Sequence, residues 1–107
     1  MSSESCECIG FITWFRARYP GVLIFHIGNE RKCSIATGKR LKAEGIVAGI
    51  PDYCIPAWSC WIEMKKPGGR LSEAQKSMIE YLEGIGHTVI IGYGARDASE
   101  KVLEFLK

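Results

Sequence analysis

A chain of 107 residues is the length of one domain and too short for two independent cores. Hydrophobic residues make up 47% and charged residues 24%, with only four prolines, which excludes a disordered or low-complexity protein. Fourteen Lys and Arg against twelve Asp and Glu leave +2, which excludes a histone-like coat for nucleic acid and requires any anionic partner to be met by a local patch.

Ser3 caps a predicted first helix running to about Arg18, where Cys8, Phe11, Ile12 and Phe15 recur at helical spacing before Tyr19-Pro20-Gly21 stops it. Glu4 lies one turn before Cys8 on that stripe, pointing to the interior side, although a first-turn acid also suits the helix dipole. Val22 to Ile27 is apolar, with β-branched and aromatic residues, and predicts a strand buried on both faces. Between Arg31 and Ala43 stand five basic residues, Arg31, Lys32, Lys39, Arg40 and Lys42, and no acidic one, with Gly45 placed to end a short helix. Such a run is either a solvated helix face or a patch for phosphates; with Lys66 and Arg70 it forms the expected DNA-binding set.

Asp52 to Ile55 and Cys60 to Lys66 predict a hairpin around Pro56-Ala57-Trp58-Ser59, closed by Pro67-Gly68-Gly69. Ser72 with Gln75 is a capping box, opening a helix whose apolar face is Met78, Ile79, Leu82 and Ile85 and which Gly86 ends. His87 to Tyr93 is a fourth strand. Asp97 with Glu100 repeats the capping signal before a last helix bearing Val102, Leu103 and Leu106. No repeat or linker interrupts the series, so the order α-β-α-β-β-α-β-α predicts an α/β fold, a single domain over residues 1–107 with a central mixed sheet flanked by helices.

No apolar run approaches the roughly 18 residues of a membrane span, and the stretch from Met1 to Cys8 is acidic, so a cytoplasmic protein without a membrane partner is expected. Five cysteines without a CxxC pair point to reduced thiols rather than to disulfides, a zinc ribbon or an iron–sulfur cluster. His26 and His87, in or beside apolar strands, are expected to be packed or hydrogen-bonded structural residues, and Trp58 and Trp61 core or interface residues.

If Pro56 to Ser59 form the turn, Ile55 faces Cys60, Cys54 faces Trp61, Tyr53 faces Ile62, and Asp52 falls opposite Glu63. Two carboxylates side by side repel unless a positive charge lies between them or one stays protonated. Strand periodicity returns Lys65 to the same face two residues later. Mg²⁺ takes one or two carboxylates plus waters and phosphate oxygens, so this trio suits metal-assisted phosphodiester hydrolysis. The plainer alternative is a surface hairpin carrying an acid–lysine pair.

Gly49-Ile50-Pro51-Asp52, then Trp61-Ile62-Glu63-Met64-Lys65, then Gly69-Arg70-Leu71-Ser72-Glu73-Ala74-Gln75 resemble the ordered motifs of the virus-type replication-repair nuclease (VRR-NUC) domain, of the PD-(D/E)xK nuclease superfamily. The likeness extends over nearly the whole chain, through Trp14, Tyr19-Pro20, His26-Ile27-Gly28-Asn29 and Leu41-Lys42-Ala43-Glu44-Gly45. It implies a restriction-endonuclease-like topology, with Asp52 and Glu63 binding Mg²⁺ or Mn²⁺, the Met64 carbonyl as a further ligand, and Lys65 positioning or activating the attacking water. Gln75 matches the family glutamine beside the site, although capping alone explains its presence. The glutamate of the early helix near the metal is assigned to Glu4, with Glu7 as the alternative. Two positions depart from the family pattern: Glu30 follows Asn29 where glycine is usual, and Cys8 stands where glutamine is common.

The resemblance implies a metal-dependent DNA endonuclease acting as a homodimer on branched DNA, such as a Holliday junction or flap, in DNA repair within a bacterial or phage-infected cell. The alternative is a DNA-binding module that keeps the nuclease fold without turnover. Gly92-Tyr93-Gly94 lacks the third glycine and the lysine of a nucleotide-binding loop.

Overall fold

The computed structural model describes residues 3–27 and 35–107. Helix α1 spans Glu4–Arg18, β1 Phe25–His26, α2 Ile35–Ala43, β2 Tyr53–Ile55, β3 Cys60–Lys65, α3 Glu73–Gly84, β4 Thr88–Tyr93 and α4 Ala95–Phe105. The sheet order is β1-β2-β3-β4, with β1/β2 and β2/β3 antiparallel and β3/β4 parallel. This is the expected mixed sheet in the expected element order. A parallel neighbour cannot be reached by a tight turn, and α3 supplies the crossover between β3 and β4.

The helix boundaries follow from their caps. Ser3 accepts a hydrogen bond from the Cys6 backbone N–H to open α1, and Ser72 and Gln75 form both halves of the capping box that opens α3. Helices α2 and α3 end alike. Ile46 N–H reaches the Leu41 carbonyl and His87 N–H the Leu82 carbonyl, each at 3.0 Å, with Gly45 and Gly86 at positive φ.

One face of the sheet carries the core. Tyr53, Ile55, Cys60, Ile62, Met64 and Ile90 meet Phe11 and Phe15 of α1 and Ala98 and Val102 of α4. Trp58, in the 3₁₀ turn of the hairpin, packs its ring on Phe15, Tyr19 and Phe105, so its expected core role holds. Gly92 admits α4 at close range: a Cβ there would strike the Ala98 side chain and lie 2.9 Å from Ala98 Cα. The opposite face carries Glu63 against Gln75 of α3.

Four expectations are corrected. The strand expected over Val22 to Ile27, buried on both faces, shrinks to two exposed residues; β1 is an edge strand, and only Ile24 beside it is buried. Ile85 is 53% exposed, because α3 has already ended at Gly84. Asp97 is not an N-cap. Helix α4 begins at Ala95 after Gly94, and Asp97 in its first turn accepts from the Tyr93 backbone N–H at 2.9 Å. Ala98 and Val102 are the buried side chains of α4, while Leu103 and Leu106 are exposed.

Candidate active site

The hairpin register is the one expected: Tyr53 pairs with Ile62, Cys54 with Trp61 and Ile55 with Cys60. Asp52, one residue before β2, therefore falls opposite Glu63. Its Oδ2 accepts from the Met64 backbone N–H at 2.7 Å, while its own carbonyl accepts from Ile27 N–H at 2.7 Å. Backbone bonds on both sides thus fix Asp52 where the sheet opens.

Glu63 is 3% exposed and receives the Gln75 side-chain amide at 3.3 Å. The Gln75 Oε1 is used elsewhere, accepting from Ser72 N–H at 2.8 Å. Gln75 therefore does two things with its two ends: the oxygen caps α3 and the nitrogen steadies Glu63. The approach to Asp52 is tied to the same point. Gly49 has φ +81°, and a Cβ there would collide with the Ala74 carbonyl and come 2.8 Å from Gln75 N. The glycine loop and the start of α3 are in contact because residue 49 has no side chain. Lys65 is half-buried, one strand period beyond Glu63, with its carbonyl accepting from Gly94 N–H.

An open cleft of about 770 Å³ lies along α1, with Asp52 among its lining residues. Glu4, Cys8 and Tyr53 line it, so Glu4 faces the same space as Asp52. Glu7 turns away, its Oε1 accepting from Ala95 N–H at 3.0 Å at the start of α4. Burial pushes the Cys8 thiol above its usual 9.0; its hydrogen bond with Tyr53 opposes that shift, and the Asp52, Glu4 and Glu63 carboxylates reinforce it. Burial also raises the Tyr53 hydroxyl, with Cys8 and Asp52 adding to the shift and Arg16 opposing it.

Asp52 and Glu63 are hard oxygen donors. Among the described residues no three His, Cys, Asp or Glu side chains are gathered as a ready-made metal cage. The donor set fits a cation such as Mg²⁺, which takes one or two carboxylates and fills its other positions with water and phosphate oxygens.

Not every expected site residue joins this cluster. Lys39, Arg40 and Lys42 are exposed on α2, none of whose residues is buried, and Arg40 lies 3.9 Å from Glu44. Lys66 and Arg70 are exposed on the loop between β3 and α3. Arg31, Lys32 and the Asn29-Glu30 pair lie outside the described residues. His26, expected to be packed, is exposed on edge strand β1, with its ring 5.0 Å from that of Tyr53 and lining the cleft. His87 keeps the expected structural role: its Nδ1 accepts from the Trp61 indole N–H at 2.8 Å. Sequence reasoning did not single out Arg16 or the contact of Gly49 with α3. Arg16 had a signal, since it continues the Cys8–Ile12 stripe by one turn.

A solved structure described as a "VRR_NUC domain protein" aligns with 99% of this chain and 89% of its own, with a TM-score of 0.80 at 21% identity. The fold is that of a VRR-NUC domain. At that identity the likeness speaks for the fold alone, and it agrees with the motif resemblance over the full sheet and its helices. No family model and no curated protein matches the sequence. Asp52 precedes β2, and Glu63 and Lys65 lie on β3, within the aligned sheet. Among the described residues no helix is long and apolar enough to cross a membrane.

Proposed function

We propose that the protein is a metal-dependent DNA endonuclease that hydrolyses phosphodiester bonds at Asp52, Glu63 and Lys65. The observation that carries this reading is the β2–β3 register, which extended by one residue sets Asp52 opposite the buried Glu63, with Gln75 bonded to Glu63 and Lys65 one period further on. Asp52, Glu63 and the Met64 carbonyl would hold Mg²⁺ or Mn²⁺, with Glu4 completing the acidic end of the cleft. A cation held there supplies Lewis acidity toward a bound water and a phosphoryl oxygen. The Lys65 ammonium orients the attacking water and offsets the negative charge that develops on the phosphate. Gln75 keeps the Glu63 carboxylate in place, and Lys39, Arg40, Lys42, Lys66 and Arg70, together with Arg31 and Lys32, meet DNA phosphates.

The substrate is branched DNA, a four-way junction or a flap, and two copies related by a two-fold axis would cut two strands symmetrically. Incubation of labelled duplex, flap and four-way-junction DNA with Mg²⁺, Mn²⁺ or EDTA tests this. Metal-dependent cleavage abolished in Asp52→Ala and Lys65→Ala supports the reading. Salt-sensitive binding that is equal in all variants, with no cleavage, indicates a DNA-binding module instead.

A further inference from the structure

The two histidines are placed differently. His87 has its Nδ1 filled by the Trp61 indole N–H at 2.8 Å. His26 stands exposed on β1 with its ring against that of Tyr53, and neither of its ring nitrogens has a hydrogen-bond partner among the described residues. The register sets this free imidazole beside the acids. His26 pairs with Tyr53, and Ile27 N–H bonds the Asp52 carbonyl at 2.7 Å, so the next residue along β1 is the sheet neighbour of Asp52. Adjacent strands stand about 4.8 Å apart, which is within the reach of one side chain. His26, Glu4 and Asp52 line the same cleft, and the Asp52 carboxylate is close enough to the Tyr53 hydroxyl to act on it. The support under the imidazole is firm, because Tyr53 is 5% exposed and its hydroxyl is hydrogen-bonded to the Cys8 thiol of α1.

Glu4, Asp52 and Glu63 carry more negative charge than one dication offsets, so a phosphate at this site meets repulsion as well as attraction. Lys65 relieves part of it. A hydrogen-bond donor aimed at a phosphate oxygen relieves more, and an imidazole offers an N–H whether neutral or protonated. We propose that His26 is a further catalytic residue, whose ring N–H donates to a non-bridging oxygen of the scissile phosphate beside Asp52. This rests on the nuclease reading and adds a residue of the edge strand to the Asp52-Glu63-Lys65 set. Tyr53 is then the positioning residue that holds the imidazole in place.

The test compares the wild type with His26→Phe, which keeps a ring against Tyr53 and loses the donor, and His26→Asn, which keeps a donor and loses the ring. With Mg²⁺ and labelled flap DNA, His26→Phe lowers kcat about a hundredfold and His26→Asn recovers part of the rate, while both melt as the wild type does. Wild-type cleavage by His26→Phe overturns the proposal, since the ring then serves packing alone. Equal rates in the two variants, or a loss of rate that follows a loss of melting temperature, also overturn it. The contact is read without turnover in ¹⁵N spectra of the Lys65→Met chain with Mg²⁺ and the same DNA, where the ring nitrogens of His26 shift and those of His87 do not. A wild-type chain without metal-dependent cleavage sinks the nuclease reading itself. The ring spectra then decide the phosphate contact alone: a shifted His26 keeps it, and an unshifted one ends it.

Discussion

Gln75 joins the start of α3 to the buried acid, and two substitutions separate those roles. Ser72→Ala removes the hydroxyl that accepts from Gln75 N–H at 3.1 Å and leaves the Gln75–Glu63 contact in place. Loss of an N-cap costs about 1 kcal/mol, which is about 4–8 °C in melting temperature for a domain of this size. Gln75→Glu does the reverse. The new carboxylate still accepts from Ser72 N–H, but in place of an amide donor it sets a second negative charge 3.3 Å from Glu63 in a buried position. A lost hydrogen bond to a charged group costs about 1.5–3 kcal/mol, and the like-charge contact adds to it, so melting falls by about 10 °C or more. Circular-dichroism melting and Mg²⁺-dependent cleavage of junction DNA are read on both variants. Ser72→Ala melts lower yet cleaves normally once folded; Gln75→Glu melts lower still and loses cleavage. If Gln75→Glu melts no lower than Ser72→Ala and cleaves at the wild-type rate, the 3.3 Å contact does not hold Glu63 in place.

Gly49→Ala should destabilise by about 2 kcal/mol or more, since it adds a left-handed backbone penalty to a clash with the Ala74 carbonyl; a lower denaturant midpoint with unchanged slope reports it. Glu7→Ala should cost about 1 kcal/mol by uncapping Ala95, whereas Glu4→Gln should leave melting unchanged and weaken Mg²⁺-dependent cleavage; equal effects on melting would contradict the division of labour between the two acids. The Asp97 carboxyl is held below its usual 3.8, chiefly by the Tyr93 N–H and further by Lys101. Its stabilising contribution is therefore complete above about pH 3.8 and is lost as pH falls through the lower folded-state value. Asp97→Asn should remove that part of the acid limb of stability, and an unchanged limb in a urea titration between pH 2 and pH 5 would refute the assignment.

The hairpin register and the α3 cap are legible because they are local. The turn length fixes the β2–β3 pairing, period two puts Glu63 and Lys65 on one face of β3, and the capping box places Gln75 at the first turn of α3. What was not legible depends on packing between distant segments. Nothing near Val22 says that β1 is an edge, which decides whether its side chains are covered. The choice between Glu4 and Glu7 depends on where α4 begins, 88 residues further along, because Glu7 is committed to Ala95. In α4 the capping signal at Asp97 points one turn late, since Gly94 starts the helix without a side-chain cap. Gly49 looks like a turn glycine in sequence, and only its contact with Ala74 shows that it joins the Asp52 loop to the helix carrying Gln75.

The most direct test of the central claim is a titration of Mn²⁺ into the protein, followed by electron paramagnetic resonance, in wild-type, Asp52→Asn, Glu63→Gln and Lys65→Met chains. The carboxylate pair predicts a bound ion in the wild type and in Lys65→Met, the latter without DNA cleavage, and loss of that ion in Asp52→Asn and Glu63→Gln. Mn²⁺ binding that is the same in all four chains would contradict it.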